Sequence, residues 1–281
     1  SVVVNVQRAG PSTGLPTKAE QADLLMAMYG RHGEAPCAIL APATPAECFQ
    51  VMIDAAEIAL KYMTPVIVLA DGYIANAAEP WQIPDVDSLP DLTPEFRSDP
   101  EDFHPFQRNK DTLARAWAIP GTPGLQHRIG GIERSADSGH ISYEPENHQD
   151  MTDFRAEKIA RIADDWPAIT PDRGKDSGKL AIVGWGSTFG ALNGATNELI
   201  KAGHDVAHIH VRQMSPLPHG LEDLLRQYDQ VLVPEMNMGQ LVKLIRSEFL
   251  IDAKPLNQVT GKPFKVGKVR QVALEMLETA K

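Results

Sequence analysis

Cysteine is nearly absent: the 281 residues include two, Cys37 and Cys48, both in apolar stretches. That excludes a disulfide framework and any iron–sulfur cluster held by this chain alone. Each reads as a small buried hydrophobe in a reducing compartment. No apolar run reaches about 18 residues and no secretory leader is visible, so the expected place is the cytoplasm, with no membrane partner. Basic clusters are missing too. Lys and Arg number 27 against 37 Asp and Glu, a net charge of -10, which argues against nucleic acid. No H-E-x-x-H is present, and neither His204, His208 and His210 nor His140 and His148 gain a further ligand at a diagnostic spacing, so no metal site is expected. There is no G-x-S-x-G elbow. In Gly184-Trp185-Gly186-Ser187-Thr188-Phe189-Gly190 the last glycine stands one place too far for a dinucleotide fingerprint, so this segment reads as a structural turn.

What is present is concentrated at the start. Gln7-Arg8-Ala9-Gly10-Pro11-Ser12-Thr13-Gly14-Leu15-Pro16-Thr17 follows an apolar strand, Ser1 to Val6. A fixed cation, glycines, prolines and hydroxyls suit a loop whose groups converge on an anion at a strand's carboxyl end. The alternative is a tight turn with Thr17 as helix N-cap and Glu20 as its capping-box partner. Arg8 suits bidentate recognition of a small carboxylate, with Ser12 and Thr13 as helpers. Asp71 also ends a strand, so on a parallel sheet Arg8 and Asp71 should line one crevice; equally, Asp71 could be a turn residue before Gly72.

Along the chain the periodicity predicts a helix over Lys18–Tyr29, a strand over Cys37–Ala41, a helix from the Thr44 cap to Tyr62 and a strand over Pro65–Ala70. A first strand as apolar as Ser1–Val6 belongs in the middle of a parallel sheet, so a preceding segment is expected. From about 73 to 153 the rhythm is lost among recurrent prolines, but the aromatics there predict an ordered excursion packed over the domain or a partner. A charged helix over Met151–Ala163 and a linker over Pro167–Gly178 follow. Alternation then resumes with strands at Leu180–Trp185, Val206–Val211 and Gln230–Pro234. Helices are expected at Phe189–Ala202, His219–Gln227, Gln240–Phe249 and Val269–Ala280. The fold class is therefore α/β, with two doubly wound, mostly parallel-sheet domains over 1–170 and 176–281.

The opening loop, together with Glu34-Ala35-Pro36, Leu69-Ala70-Asp71-Gly72-Tyr73, Arg128-Ile129-Gly130-Gly131-Ile132-Glu133, His140-Ile141-Ser142-Tyr143 and Pro234-Glu235-Met236-Asn237-Met238-Gly239-Gln240-Leu241, resembles the alpha subunits of 2-oxoacid:ferredoxin oxidoreductases, the 2-oxoglutarate type in particular. The resemblance implies the later part of a thiamine pyrimidine-binding domain followed by a transketolase-carboxyl-terminal-like domain. It implies oxidative decarboxylation of a 2-oxoacid to its acyl-coenzyme A, with electrons passed to ferredoxin. Thiamine diphosphate would be shared with a beta subunit that holds the magnesium and a [4Fe-4S] cluster. Arg8 would grip the substrate carboxylate, with no catalytic residue in this stretch. The family's Tyr-Pro-Ile-Thr-Pro motif and thiamine-activating glutamate belong upstream, so activity is expected only in the complex, with an upstream part of the same subunit among its partners. Two other readings stay open: a beta-type subunit of a thiamine-dependent 2-oxoacid dehydrogenase, and a non-catalytic assembly or coenzyme A-facing scaffold.

Overall fold

A computed structural model describes residues 1–279. Val2–Gln7 (β1), Ala38–Leu40 (β2) and Val66–Asp71 (β3) form parallel neighbours in the order β1-β3-β2. The register pairs Gln7 with Asp71, so both strands deliver their carboxyl ends to one edge. Glu47–Lys61 (α2) crosses between β2 and β3. Its buried positions Val51, Ala55, Ile58 and Ala59 recur at helical spacing and pack on one sheet face.

β1 differs from expectation. It is an edge strand among the described residues, and Val3, Val4 and Val6 are about half exposed, at 52%, 49% and 49%. The physical reason is plain: no described strand pairs with its outer side. The helix predicted over Lys18–Tyr29 is also corrected. It is confined to Leu24–Tyr29 (α1). Thr17 has φ 62°, in the left-handed region, and residues 18–23 are not helical, so Thr17 and Glu20 do not form a capping box. Thr44 accepts from the Glu47 amide at 3.3 Å as expected of a cap, but the helix itself opens two residues later than Pro45, at Glu47.

After Gly72–Asn76 (α3), residues 77–144 carry a single short 3-10 turn, Val86–Ser88, and isolated bridges such as Phe96–Trp117 and Arg108–Arg115. The excursion is anchored rather than free. Trp117 Nε1 donates to the Leu60 carbonyl at 2.9 Å, and Arg161 donates to the carbonyl of Asp111 at 3.0 Å. Pro145–Ala160 (α4) begins six residues earlier than the pattern suggests, because Pro145 occupies its first turn.

The second sheet has the order β5-β4-β7-β8, all parallel, from Gly178–Trp185 (β4), Val206–Val211 (β5), Tyr228–Glu235 (β7) and Lys254–Asn257 (β8). Phe189–Lys201 (α5) and Val266–Thr279 (α8) cover one face; Leu221–Leu225 (α6) and Gln240–Phe249 (α7) lie with the other. Burial on both faces explains the uninterrupted Leu180-Ala181-Ile182-Val183 run. The end of the last predicted helix, Ala280, lies outside the described residues. Both sheets are mostly parallel, as the alternation predicts.

The two sheets do not stand apart. Gln213–Ser215 (β6), which no pattern revealed, leaves the second part of the chain and pairs antiparallel with β2. One continuous core joins Leu24 of α1 and Ile39 and Leu69 of the first sheet to Val183 and Ile209 of the second sheet and Leu241 of α7. Among the described residues no helix is long and apolar enough to cross a membrane.

Candidate functional site: the carboxyl edge of the first sheet

The loop after β1 is closed by its own backbone. The Ala9 amide donates to Lys18 at 3.0 Å, the Leu15 amide to Ala9 at 3.1 Å and the Lys18 amide to Leu15 at 3.2 Å. Gly14 sits at φ +49°, and a Cβ there would stand 2.3 Å from the Ala9 carbonyl oxygen, so the turn requires glycine. Arg8 is exposed, and its guanidinium curls over the loop to donate to the carbonyls of Thr13 at 2.5 Å and Ser12 at 2.9 Å. The structure thus brings Arg8, Ser12 and Thr13 together, through backbone oxygens rather than hydroxyls. A guanidinium has five N–H donors, so this grip leaves the group able to face a further acceptor.

Asp71 is placed differently. It is 1% exposed. Its Oδ1 accepts from the amides of Tyr73 at 2.8 Å and Ile74 at 3.1 Å, capping α3, and its Oδ2 accepts from the Ser187 hydroxyl of the second sheet's first turn. Burial raises the Asp71 carboxyl above its usual range, opposed by these hydrogen bonds. Asp71 and Arg8 share an edge but not an open crevice: the carboxylate holds the two halves together. The turn-residue reading of Asp71 is the one its geometry matches.

The seam beneath the loop is polar and fully partnered. Gln21 donates to the Trp185 carbonyl at 2.8 Å and accepts from the Met236 amide at 3.0 Å, while Asn237 donates to the Gln21 carbonyl at 2.9 Å. Glu235, wholly buried, accepts from Trp185 Nε1 and the amides of Leu241 and Val242 at the start of α7. Burial raises this carboxyl too, opposed by those three donors and by the Asn237 amide. Arg212 binds Glu47 at 2.9 Å and Asp172 at 3.0 Å. The Gly184-to-Gly190 stretch forms part of this seam. Trp185, Ser187 and Thr188 are buried in it, and a Cβ on Gly184 would meet Leu192 at 2.2 Å. It is a packing turn, as its spacing suggests.

Beside the loop lies a cavity of about 300 Å³ lined by Thr17, Lys18, Gly72, Tyr73, Asn76 and Lys262. Sequence reasoning missed Lys18, Tyr73, Asn76 and Lys262. Lys262 could not be found, because it arrives from a loop after β8, some 240 positions from Lys18. The lining suits an anionic small molecule and the edge of a flat polar ring: two ammonium groups, a phenol and an amide. It fits one wall of a thiamine site. It does not contain a free carboxylate, since Asp71 and Glu235 are both fully engaged. Among the described residues no group of three or more His, Cys, Asp or Glu could hold a metal ion.

Parallel strands joined by helices, with a loop and a polar cavity at their carboxyl edge, define an α/β domain of the doubly wound type. Residues 1–146 match the family described as pyruvate flavodoxin/ferredoxin oxidoreductase, thiamine diphosphate-binding, and the chain belongs to that family. Among relatives, it is 48% identical over 97% of its length to the 2-oxoglutarate oxidoreductase subunit KorA of Mycobacterium tuberculosis, of which it covers 42%. It is 30% identical to subunit alpha of 2-oxoacid:ferredoxin oxidoreductase 1 of Aeropyrum pernix, covering 45% of that protein. Its structure superposes on the 2-oxoglutarate:ferredoxin oxidoreductase of Magnetococcus marinus, solved with 2-oxoglutarate, coenzyme A and succinyl-CoA, with a TM-score of 0.91 at 31% identity, covering 98% of this chain and 48% of that one. A split-gene transketolase, at TM-score 0.50 and 12% identity, shares the fold alone. The chain spans less than half the length of the relatives that match nearly all of it.

Proposed function

We propose that this chain is part of the alpha subunit of a thiamine-dependent 2-oxoacid:ferredoxin oxidoreductase, of the 2-oxoglutarate type, working in the cytoplasm. The observation that carries the reading is its likeness, over 98% of its length, to an oxidoreductase solved with 2-oxoglutarate and coenzyme A. The reaction is oxidative decarboxylation to the acyl-coenzyme A, with electrons leaving to ferredoxin. The beta subunit is the partner that carries magnesium and the [4Fe-4S] cluster, and an upstream part of the same subunit completes the site. Residues 1–170 and 176–281 serve as the later thiamine pyrimidine domain and the transketolase-carboxyl-terminal-like domain.

Thiamine diphosphate bound in the complex would supply the nucleophilic carbon and the electron sink that loss of carbon dioxide needs. The residues of this chain bind and orient. Arg8 pairs with the substrate's C1 carboxylate, exchanging its grip on Ser12 and Thr13 carbonyls for charge-assisted bonds. Tyr73 and Asn76 line the ring side of the cavity, and Lys18 and Lys262 set its positive potential. Fixing the carboxylate fixes the carbonyl carbon beside it, which is where positioning lowers the barrier. The Asp71–Ser187 and Gln21 contacts keep the loop's floor from shifting.

The test is acceptor choice by the reconstituted full complex. Reduction of methyl viologen that requires 2-oxoglutarate and coenzyme A together supports the reading. Turnover with NAD through a lipoyl carrier, and none with the viologen, overturns it in favour of a dehydrogenase.

A further inference from the structure

A second cavity, of about 630 Å³, lies between the end of α2 and the excursion. Its wall includes Arg97, Arg108, Arg115, Lys61, Asn109, Thr112 and Trp117. Arg97 is satisfied by the carbonyls of Asp99 and Glu101, and Lys61 by Asp165 at 2.6 Å. Arg108 and Arg115 are not satisfied in this way. Each is half-buried with its guanidinium over an aromatic ring at 4.7 Å, Phe154 for Arg108 and Phe106 for Arg115. Their polar contacts are weak: Met151 Sδ at 3.4 Å and two carbonyls at 3.4 Å for Arg108, and Met63 Sδ at 3.6 Å for Arg115. Lys158 of α4, half-buried and just outside the cavity lining, lies one turn past Phe154 on the helix face that meets Arg108 through Met151 and Phe154. It is pushed down to about 8 by burial and by the charges of Arg108 and Arg115.

None of the three has a carboxylate within 4 Å among the described residues. Arg212, Arg226 and Arg270, by contrast, each sit against an acid, although the chain as a whole carries a net charge of -10. Glu57, Asp91 and Glu95 line the same cavity but are exposed and do not reach these cations. Desolvated like charges without a counter-ion are costly to hold together. A dianion bridging two guanidiniums and an ammonium would remove that cost.

From this juxtaposition we propose that Arg108, Arg115 and Lys158 form a binding site for a phosphate dianion, with Asn109, Thr112 and Trp117 on the cavity wall next to it. Its source is either free inorganic phosphate or the phosphate of a nucleotide-sized molecule, for which the cavity has room.

The experiment is isothermal titration of inorganic phosphate, and separately of adenosine 3′,5′-bisphosphate, into the full enzyme complex at constant ionic strength, with chloride as the blank. A saturable event is expected for at least one probe. It should weaken about tenfold or more in Arg108→Gln and in Lys158→Met, the loss of a charge-assisted contact, and persist in the exposed neighbour Lys110→Gln. Tighter binding of the bisphosphate assigns the site to a nucleotide phosphate; equal or weaker binding assigns it to free phosphate. Because Lys158 lies on α4 and Arg108 on the excursion, loss of fold in one variant leaves the other to decide. No event above the chloride blank, or equal affinity in every variant, overturns the proposal.

Discussion

The Ser187 hydroxyl donates to Asp71 Oδ2, so the first turn of the second sheet is tied to the last residue of a strand in the first. The same carboxylate caps α3 with its other oxygen. Two halves that the alternation presents as separate units are in this way held in one register beneath the arginine loop. Ser187→Ala removes a donor to a buried carboxylate and is expected to cost about 1–3 kcal/mol. The folded value of Asp71 lies above its unfolded value, so its contribution is full below the unfolded value and is lost as pH rises through the folded one. Removing a donor raises the folded value further. The loss in thermal midpoint should therefore be larger at pH 8 than near the unfolded value, at about pH 4, and an equal loss at both contradicts the assignment.

His208 and His210 alternate on β5 and share a buried pocket with Phe189, with ring centroids 5.0 Å to 5.4 Å apart. They are linked by a 3.3 Å contact, and His210 Nε2 reaches the Gly186 carbonyl at 3.0 Å. His208 Nδ1 has no partner. Burial first, then the charge of Arg212, lowers His208 to about 3, and burial and His208 itself push His210 well below its ordinary value. Both are thus neutral in the fold but protonated in the unfolded chain below about 6.5. Stability should be full above that value and fall as pH drops toward 3, with a slope of up to about 1.4 kcal/mol per pH unit for each histidine. His208→Asn should flatten the slope over that window in urea unfolding followed by circular dichroism. An unchanged slope refutes the role of this pair.

Gly14→Ala places a methyl group against the Ala9 carbonyl at a positive φ. The loop must open, which moves the Ser12 and Thr13 carbonyls that hold the guanidinium. The expected result in the full complex is a raised KM for 2-oxoacids and a thermal midpoint lowered slightly, by the equivalent of about 1 kcal/mol. A normal KM means the loop's shape is irrelevant to substrate.

Much of this was legible from residue order. Gln240–Phe249 and Val206–Val211 match their predicted bounds, because apolar spacing and flanking Gly239 and Arg212 mark them clearly. β6 was not legible: three residues before Pro216 carry no periodicity, and their pairing with β2 is a tertiary fact. The same holds for residues 18–23, whose helical pattern yields to the bonds that Gln21 makes across the seam. At the site, the Arg8 loop announced itself by composition. Asp71 looked like a crevice residue because strand position says which edge a side chain reaches, not what covers it. Lys262 was hidden by distance along the chain.

The central claim is that Arg8 recognises the substrate carboxylate, and steady-state kinetics of Arg8→Ala and Arg8→Lys in the full complex test it most directly. The account predicts that alanine raises KM for every 2-oxoacid and lowers kcat/KM about tenfold or more, the value of a lost charge-assisted pair. Lysine, which keeps the charge but not the fork, should recover part of that loss. Wild-type kcat/KM in Arg8→Ala would contradict the account.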